Sequence, residues 1–158
     1  MASLTQFDDL IAQKSLLKHP FYVAWSKGEL TLDDMKVYAK EYFQLAKGVP
    51  SIVERVRVRA LERKPELVSA IDHNLEEEKE HIELWKRFAQ SLGISEKELV
   101  TYQPSKMVQE AVAGLQKSAE GTFEEAVATM YALEKELPEI AQTKKDGLCK
   151  FYDLNSED

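Results

Sequence analysis

Apolar residues recur every three or four positions along most of the chain, which is the spacing of amphipathic helices. No segment alternates apolar and polar residues as a strand would. Glycine and proline divide the pattern into helix-length segments, with breaks expected near Pro20, Gly28, Pro65, Gly93 and Pro104. The sequence therefore predicts a single all-α domain over residues 1–158.

Capping signals place several of the predicted helix boundaries. Pro20 suits the first position of a short helix, and Gly28 is placed to end it. Ser95 and Thr122 each precede a glutamate by three residues, which is the pattern of a capping box. Each of these two residues is therefore expected to start a helix.

Two prolines predict irregularities inside the helical pattern. Gly48 and Pro50 indicate a turn or a kink. Pro138 cannot donate a hydrogen bond to the carbonyl of Glu134, so we expect a kink beside that glutamate. Helix can resume from residue 140 to 151, although Gly147 weakens the prediction near its middle.

The candidate chemistry lies in the uninterrupted segment between Pro65 and Gly93, which reads HNLEEEKEHIELW from residue 73 to residue 85. The apolar residues expected to be buried along this helix are Leu67, Ile71, Leu75, Ile82, Trp85 and Phe88. Glu78 and His81 are three residues apart and therefore share one helical face. Such a Glu-x-x-His pair is how helical bundles with two irons present a carboxylate and an imidazole to the metals.

A plainer interpretation remains open, because an acidic helix can contain Glu-x-x-His by chance. Glu76, Glu77 and Glu80 are then a solvated face, and Glu78 with His81 a surface pair. His19 and His73 are expected to be structural rather than metal ligands, His73 as a neighbour of the acidic run.

Composition narrows the function classes. The net charge of −7 argues against nucleic acid as a partner, since no basic patch offsets phosphate repulsion. No apolar run is long enough to cross a membrane, and no signal peptide opens the chain. Cys149 is the single cysteine, so no intrachain disulfide can form and a cytoplasmic location is expected.

Several longer runs resemble one known family. They are residues 21–31 (FYVAWSKGELT), 38–42 (YAKEY), 81–86 (HIELWK) and 134–141 (EKELPEIA). Together they resemble the family of the chlamydial protein associating with death domains. That family is a branch of the haem-oxygenase-like proteins, which include PqqC-like and TenA-like members. The resemblance extends over nearly the whole chain.

The resemblance implies a haem-oxygenase-like helical bundle that holds a non-haem di-iron centre, with either two irons or iron and manganese. Members of the family are assigned to the synthesis of para-aminobenzoate (4-aminobenzoate), the folate precursor, with the protein's own tyrosine as carbon source. O2 and a reductant are then the expected reaction partners, and a homo-oligomer the expected assembly.

The resemblance also implies residue roles. Glu78 and His81 fall on metal ligands of the family, and Glu134 falls on a carboxylate ligand of another helix. Tyr22 falls on the tyrosine that is consumed, and Lys144 on the lysine proposed as amino donor. Tyr38 and Tyr42 fall where the family keeps aromatic residues near the site. Without the resemblance, Tyr22 is a core aromatic, and Lys144 with Lys145 a solvated pair.

Two departures from the family pattern affect the metal site. The chain is one helical turn shorter between Asn74 and His81 than the chlamydial member, which makes Glu-x-x-His the regular spacing here. The family's remaining ligands follow on a later helix as His-x-x-x-Asp-x-x-His, and this sequence stops before it, at Ser156 and two acids. We therefore expect a bundle that lacks its C-terminal helices, as the N-terminal portion of a longer family domain.

The leading hypothesis is thus a di-iron oxygenase of para-aminobenzoate synthesis that acts on its own Tyr22. One alternative keeps the di-iron centre and gives it an external small-molecule substrate, as in PqqC-like oxidases. The other is a helical protein-interaction module without chemistry.

Overall fold

A computed structural model describes residues 3–152. The residues in this range form eight α-helices, and the all-α prediction is confirmed. They are α1 (Leu4–Gln13), α2 (Pro20–Lys27), α3 (Leu32–Arg63), α4 (Val68–Ser91), α5 (Glu96–Thr101), α6 (Lys106–Ala119), α7 (Phe123–Glu134) and α8 (Leu137–Phe151). Short 3-10 turns, Leu16–Lys18 and Pro65–Leu67, precede α2 and α4. Ser156, at the end of the sequence, lies outside the described residues.

The chain forms two compact units, one of Leu32–Tyr131 and one of Met1–Thr31 together with Ala132–Asp158. In the first, which we call the central unit, α3 packs along α4 and α6. Its apolar cluster is built from Val53, Val56, Ala60, Ile71, Leu75 and Ala126. Full burial of a valine or isoleucine contributes about 1.5–3 kcal/mol, so this cluster is a main source of the unit's stability.

Helix α3 is continuous for 32 residues and contains Pro50 in its interior. Of the two irregularities that Gly48 and Pro50 indicated, a turn or a kink, the prediction of a turn is therefore wrong. Pro50 removes one backbone donor at a cost of about 3 kcal/mol. Phe43 before it and Val53 after it are both buried, so packing on each side of the proline holds the helix together.

Helix α4 buries Ile71, Leu75, Glu78 and Ala89. The prediction for Leu67 is wrong, because the helix begins one residue later and the Leu67 side chain in the preceding 3-10 turn is 42% exposed. Glu78 is the unexpected member of the buried face.

Polar contacts hold the helix ends of the central unit as the capping patterns predicted. Ser95 caps α5, and the Thr122 hydroxyl accepts from the Glu125 amide while the Glu125 carboxylate accepts from the Thr122 amide. The start of α6 is held by Glu41, whose carboxylate accepts hydrogen bonds from the Tyr102 hydroxyl (2.8 Å) and from the Ser105 amide and hydroxyl.

In the terminal unit, formed by residues 1–31 and 132–158, α2 packs on α8. Gly28 ends α2 with a left-handed backbone (φ 71°), as predicted. Helix α7 ends at Glu134 and α8 starts at Leu137, so the expected kink beside Glu134 is a break between two helices. The cause is the one anticipated, since Pro138 has no N–H for the Glu134 carbonyl.

Within residues 3–152, no helix is both long and apolar enough to cross a membrane. The Cys149 thiol is exposed.

Candidate functional site

Glu78 is the buried acid of the Glu-x-x-His pair, with 5% of its surface exposed. Its Oε2 lies 3.3 Å from His81 Nδ1, one turn further along α4. The His81 side chain is 45% exposed, so its ring extends from the buried carboxylate toward the surface of the helix. A buried carboxyl group is costly unless it is hydrogen-bonded, and His81 is the partner that the described residues provide.

The other three glutamates of this acidic run differ from Glu78 in their exposure to solvent. Glu76, Glu77 and Glu80 are exposed. Glu76 pairs with Lys79 at 2.6 Å, and Glu77 lies 3.5 Å from His73. The solvated-face interpretation is therefore confirmed for these three residues and is wrong for Glu78, because Glu78 lies on the same side of α4 as the core residues Ile71 and Leu75.

One further polar atom on this face has no partner. The Oδ1 of Asn74, one turn before Glu78, is buried and accepts no hydrogen bond from the described residues. Buried acceptors are rarely left in this state, because the unmade bond costs about 1–3 kcal/mol. The face of α4 that carries Glu78 therefore has a free acceptor for a bound donor, such as a water or a hydroxyl.

Aromatic rings continue the same face. Trp85, one turn after His81, stacks on Tyr42 with ring centroids 4.5 Å apart and meets Tyr38 edge-on at 5.8 Å. Tyr38 and Tyr42 are themselves 5.4 Å apart, so the structure brings these two predicted residues together. Trp85 was expected only as a core residue. Its four-residue spacing from His81 is the sequence signal that could have assigned it to this group.

Tyr22 lies in the terminal unit, on the buried side of α2, with 5% of its surface exposed. His19 caps this helix by accepting a hydrogen bond from the Phe21 amide at 3.2 Å, so the structural assignment of His19 is confirmed. Phe21 packs edge-on against Tyr22 at 5.7 Å and against Trp25 at 5.9 Å. The phenol of Tyr22 is thus held in an aromatic environment.

Lys144 lies on α8 in the same unit. Its side chain is half-buried whereas Lys145 is exposed, so the solvated-pair interpretation is wrong for Lys144. Burial lowers the pKa of Lys144 from its usual 10.5 to about 8, because the charged ammonium is poorly solvated there. The indole N–H of Trp25 donates to the backbone carbonyl of Lys144 at 3.1 Å.

Glu134 is the half-buried last residue of α7. It belongs to the terminal unit, whereas Glu78 and His81 belong to the central unit. Among residues 3–152, no group of three or more His, Cys, Asp or Glu side chains is gathered closely enough to hold a metal ion. Glu78 and His81 match, in donor type and spacing, the contribution of one helix to a di-iron site.

The chain is similar to known proteins in sequence and in structure. Residues 8–152 match the TENA/THI-4/PQQC family. The chain is 36% identical to proteins named 4-aminobenzoate synthase from Chlamydia muridarum and Chlamydia trachomatis serovar D, over all of this chain and 69% and 70% of theirs. A protein of the same name from Nitrosomonas europaea is 30% identical, over 97% of this chain and 67% of its own.

Among solved structures, the chain is similar to a TenA homologue protein from P. horikoshii OT3, with a TM-score of 0.74. The similarity covers 92% of this chain and 73% of that one at 19% identity. It shows that the chain has the all-α fold of that protein.

Proposed function

Because the chain belongs to the TENA/THI-4/PQQC family, we propose that it takes part in 4-aminobenzoate synthesis as an O2-dependent di-iron protein that uses its own Tyr22 as carbon source. The observation that carries the proposal is the burial of Glu78, alone among four glutamates in five residues, with His81 at 3.3 Å. It occurs in a chain that is similar over its whole length to proteins named 4-aminobenzoate synthase.

Glu78 and His81 would hold the metal, either two irons or iron with manganese, together with Glu134. The chemistry that such a metal pair supplies when bound is the activation of O2 with electrons from a reductant. Glu78 would present a carboxylate oxygen from the buried face of α4, where its attraction for a cation is stronger than at the surface. His81 would contribute an imidazole nitrogen, the second donor type that iron accepts.

Tyr22 and Lys144 would supply the parts of the product. The phenol ring of Tyr22 is buried and so protected from bulk water, which limits side reactions of an oxidised ring. At pH 8 about half of the Lys144 side chains carry a free amine lone pair, because burial lowers the lysine pKa to about 8. An unprotonated amine is the form able to transfer nitrogen.

The test combines isotope labelling with matched variants. Full-length protein is produced with ring-13C tyrosine and 15N lysine, then given Fe(II), a reductant and O2, and 4-aminobenzoate is measured by mass spectrometry. We expect both labels in the product. Tyr22→Phe should abolish the product, whereas Tyr131→Phe should retain it. Unlabelled product that depends on an added small molecule would instead indicate an oxidase with an external substrate.

Metal binding is tested by a second comparison. Glu78→Gln and His81→Ala should lower the iron content per chain, whereas their exposed neighbours Glu77→Gln and His73→Ala should not. Equal iron content in all four variants would remove Glu78 and His81 from the metal site. An absence of both iron and product in the parent protein would favour the protein-interaction module.

A further inference from the structure

The contact between α2 and α8 contains two glycines that leave no room for a side chain. A Cβ atom on Gly147 would overlap the indole of Trp25, at its Cδ1 and Nε1 atoms. A Cβ atom on Gly28 would overlap the ring of Phe151. Each helix thus contributes one glycine and one large aromatic side chain to the contact. Trp25 is fully buried, so its indole is enclosed by the protein at this contact.

These contacts fix how the two helices are aligned. One turn along α2, from Trp25 to Gly28, corresponds to one turn along α8, from Gly147 to Phe151. The helices therefore run in the same direction with a single register. Beyond the helix ends, the Leu30 amide donates to the hydroxyl of the next residue after α8, Tyr152, at 3.1 Å, in the same alignment.

The same register also aligns the residues that lie one turn earlier on the two helices, Tyr22 on α2 and Lys144 on α8. Tyr22 precedes Trp25 by three residues on α2, and Lys144 precedes Gly147 by three residues on α8, so each shares the packed face of its helix. The Trp25 indole reaches back over that turn, because helical side chains tilt toward the N-terminus, and donates to the Lys144 carbonyl at 3.1 Å.

We propose that Trp25 and Gly147 are positioning residues, which lock the register of α8 on α2 and thereby hold Lys144 at the level of Tyr22. The inference rests on the proposed function for its chemical meaning, since it explains how one unit of the chain would present its carbon source and its amine to each other. A slip of α8 by one turn would move Lys144 by about 5.4 Å along the axis and end this alignment.

The register can be measured without any turnover, by disulfide trapping in full-length protein that carries Cys149→Ser. Tyr22→Cys is combined with Lys144→Cys in one variant and with Lys145→Cys in the other. Lys145 is the matched control, because it is exposed and lies only one residue further along α8, turned about 100° around the helix axis. A disulfide needs Cβ atoms about 3.5–4.5 Å apart, so mild oxidation should cross-link residue 22 to residue 144 and not to residue 145.

The lock is then removed in two ways. Gly147→Ala adds a methyl group against the indole, and Trp25→Phe removes the N–H donor without adding atoms. Both are expected to lower the cross-link yield between residues 22 and 144. Combining the two changes should restore part of the yield lost in Gly147→Ala, because the smaller ring makes space for the methyl group. Circular dichroism of each variant shows that the helices remain.

A positioning effect is separated from a general loss of stability by the reactivity of single amines. Competitive acylation of the protein with native Lys144 gives the pKa of that amine, which should rise toward 10.5 in Gly147→Ala. Equal cross-linking at residues 144 and 145, or a yield and an amine pKa that neither variant alters, would overturn the inference. If the cross-links form as expected but the parent protein makes no 4-aminobenzoate, the proposed function is rejected and the register lock still stands.

Discussion

The half-buried amine of Lys144 makes a quantitative prediction about stability. Its pKa is about 8 in the folded chain and 10.5 in the unfolded one, so the unfolded state binds the proton more tightly. At about 1.4 kcal/mol per pKa unit, the difference sets an upper limit of about 3.5 kcal/mol by which the charged lysine destabilises the fold below pH 8. Partial exposure of the side chain reduces the effect below that limit.

The sign of the pH dependence follows from proton binding. Between pH 8 and pH 10.5 the unfolded state holds more protons at this residue than the folded state, so its contribution to the free energy of unfolding rises with pH. Below pH 8 the lysine is protonated in both states and the penalty is constant. Above pH 10.5 it is neutral in both, and the penalty is gone.

Lys144→Met keeps a flexible apolar stem and removes the charge. The variant should therefore be more stable than the parent protein at pH 7, by up to about 3.5 kcal/mol, and this advantage should shrink between pH 8 and pH 10.5. Urea unfolding followed by circular dichroism at pH 7, 9 and 10.5 measures both effects. The control is Lys145→Met, whose exposed side chain should give little change at any of these pH values.

Two results would refute this reasoning. One is a Lys144→Met variant that is less stable than the parent at pH 7, which would mean that the ammonium makes favourable contacts outweighing its desolvation. The other is an advantage that stays constant from pH 7 to pH 10.5, which would attribute the gain to the methionine stem and not to the lost charge.

Three further predictions concern the central unit. Glu41→Ala removes the hydrogen-bond acceptor for Tyr102 and Ser105 and should lower the free energy of unfolding by about 1–3 kcal/mol in urea titration. An unchanged unfolding midpoint would contradict the conclusion that Glu41 anchors α6. Phe43→Ala should cost about 3–5 kcal/mol in the same assay because the ring is 1% exposed, and a loss below 1 kcal/mol would contradict its burial. Asn74→Leu removes the unpaired buried acceptor and should leave the free energy of unfolding equal or higher in urea titration. A clear loss of stability would instead show that this oxygen accepts a hydrogen bond from a bound donor.

The helical pattern could be predicted from the sequence because its signals are local. The capping patterns correctly predicted three helix boundaries. Gly28 ends α2, Ser95 precedes α5 and Thr122 precedes α7. Pro50 shows the limit of such signals, since its backbone defect is small compared with the packing of the helix on both sides of it. That packing depends on partners far along the chain, which periodicity does not identify.

In the candidate site, too, local spacing was predictable from the sequence and long-range surroundings were not. The spacing of Glu78 and His81 predicted that they share a face, and the structure places them 3.3 Å apart. Spacing could also select Glu78 from the acidic run, because it is three residues from the core position Leu75 while Glu76 and Glu77 are not in phase with it. The unpaired acceptor on Asn74 could not be predicted, because an unmade hydrogen bond depends on everything that surrounds the atom.

The alignment of Tyr22 with Lys144 illustrates why the register between two distant helices could not be predicted from the sequence. In the sequence Gly147 indicates only a weak point in a helix. In the structure the same glycine is the position at which α8 approaches the Trp25 indole, and the lost helix propensity of about 1 kcal/mol is offset by that close packing. A glycine in a buried helical face thus indicates a close contact, but the sequence does not identify the partner.

The role of Gly147 in packing can be distinguished from a role in flexibility. If Gly147 provided flexibility, Gly147→Ala would stiffen α8 and stabilise the protein. If it locks the register, the same change should destabilise the protein unless Trp25 is also made smaller. Thermal unfolding of the single and double variants decides between the two explanations.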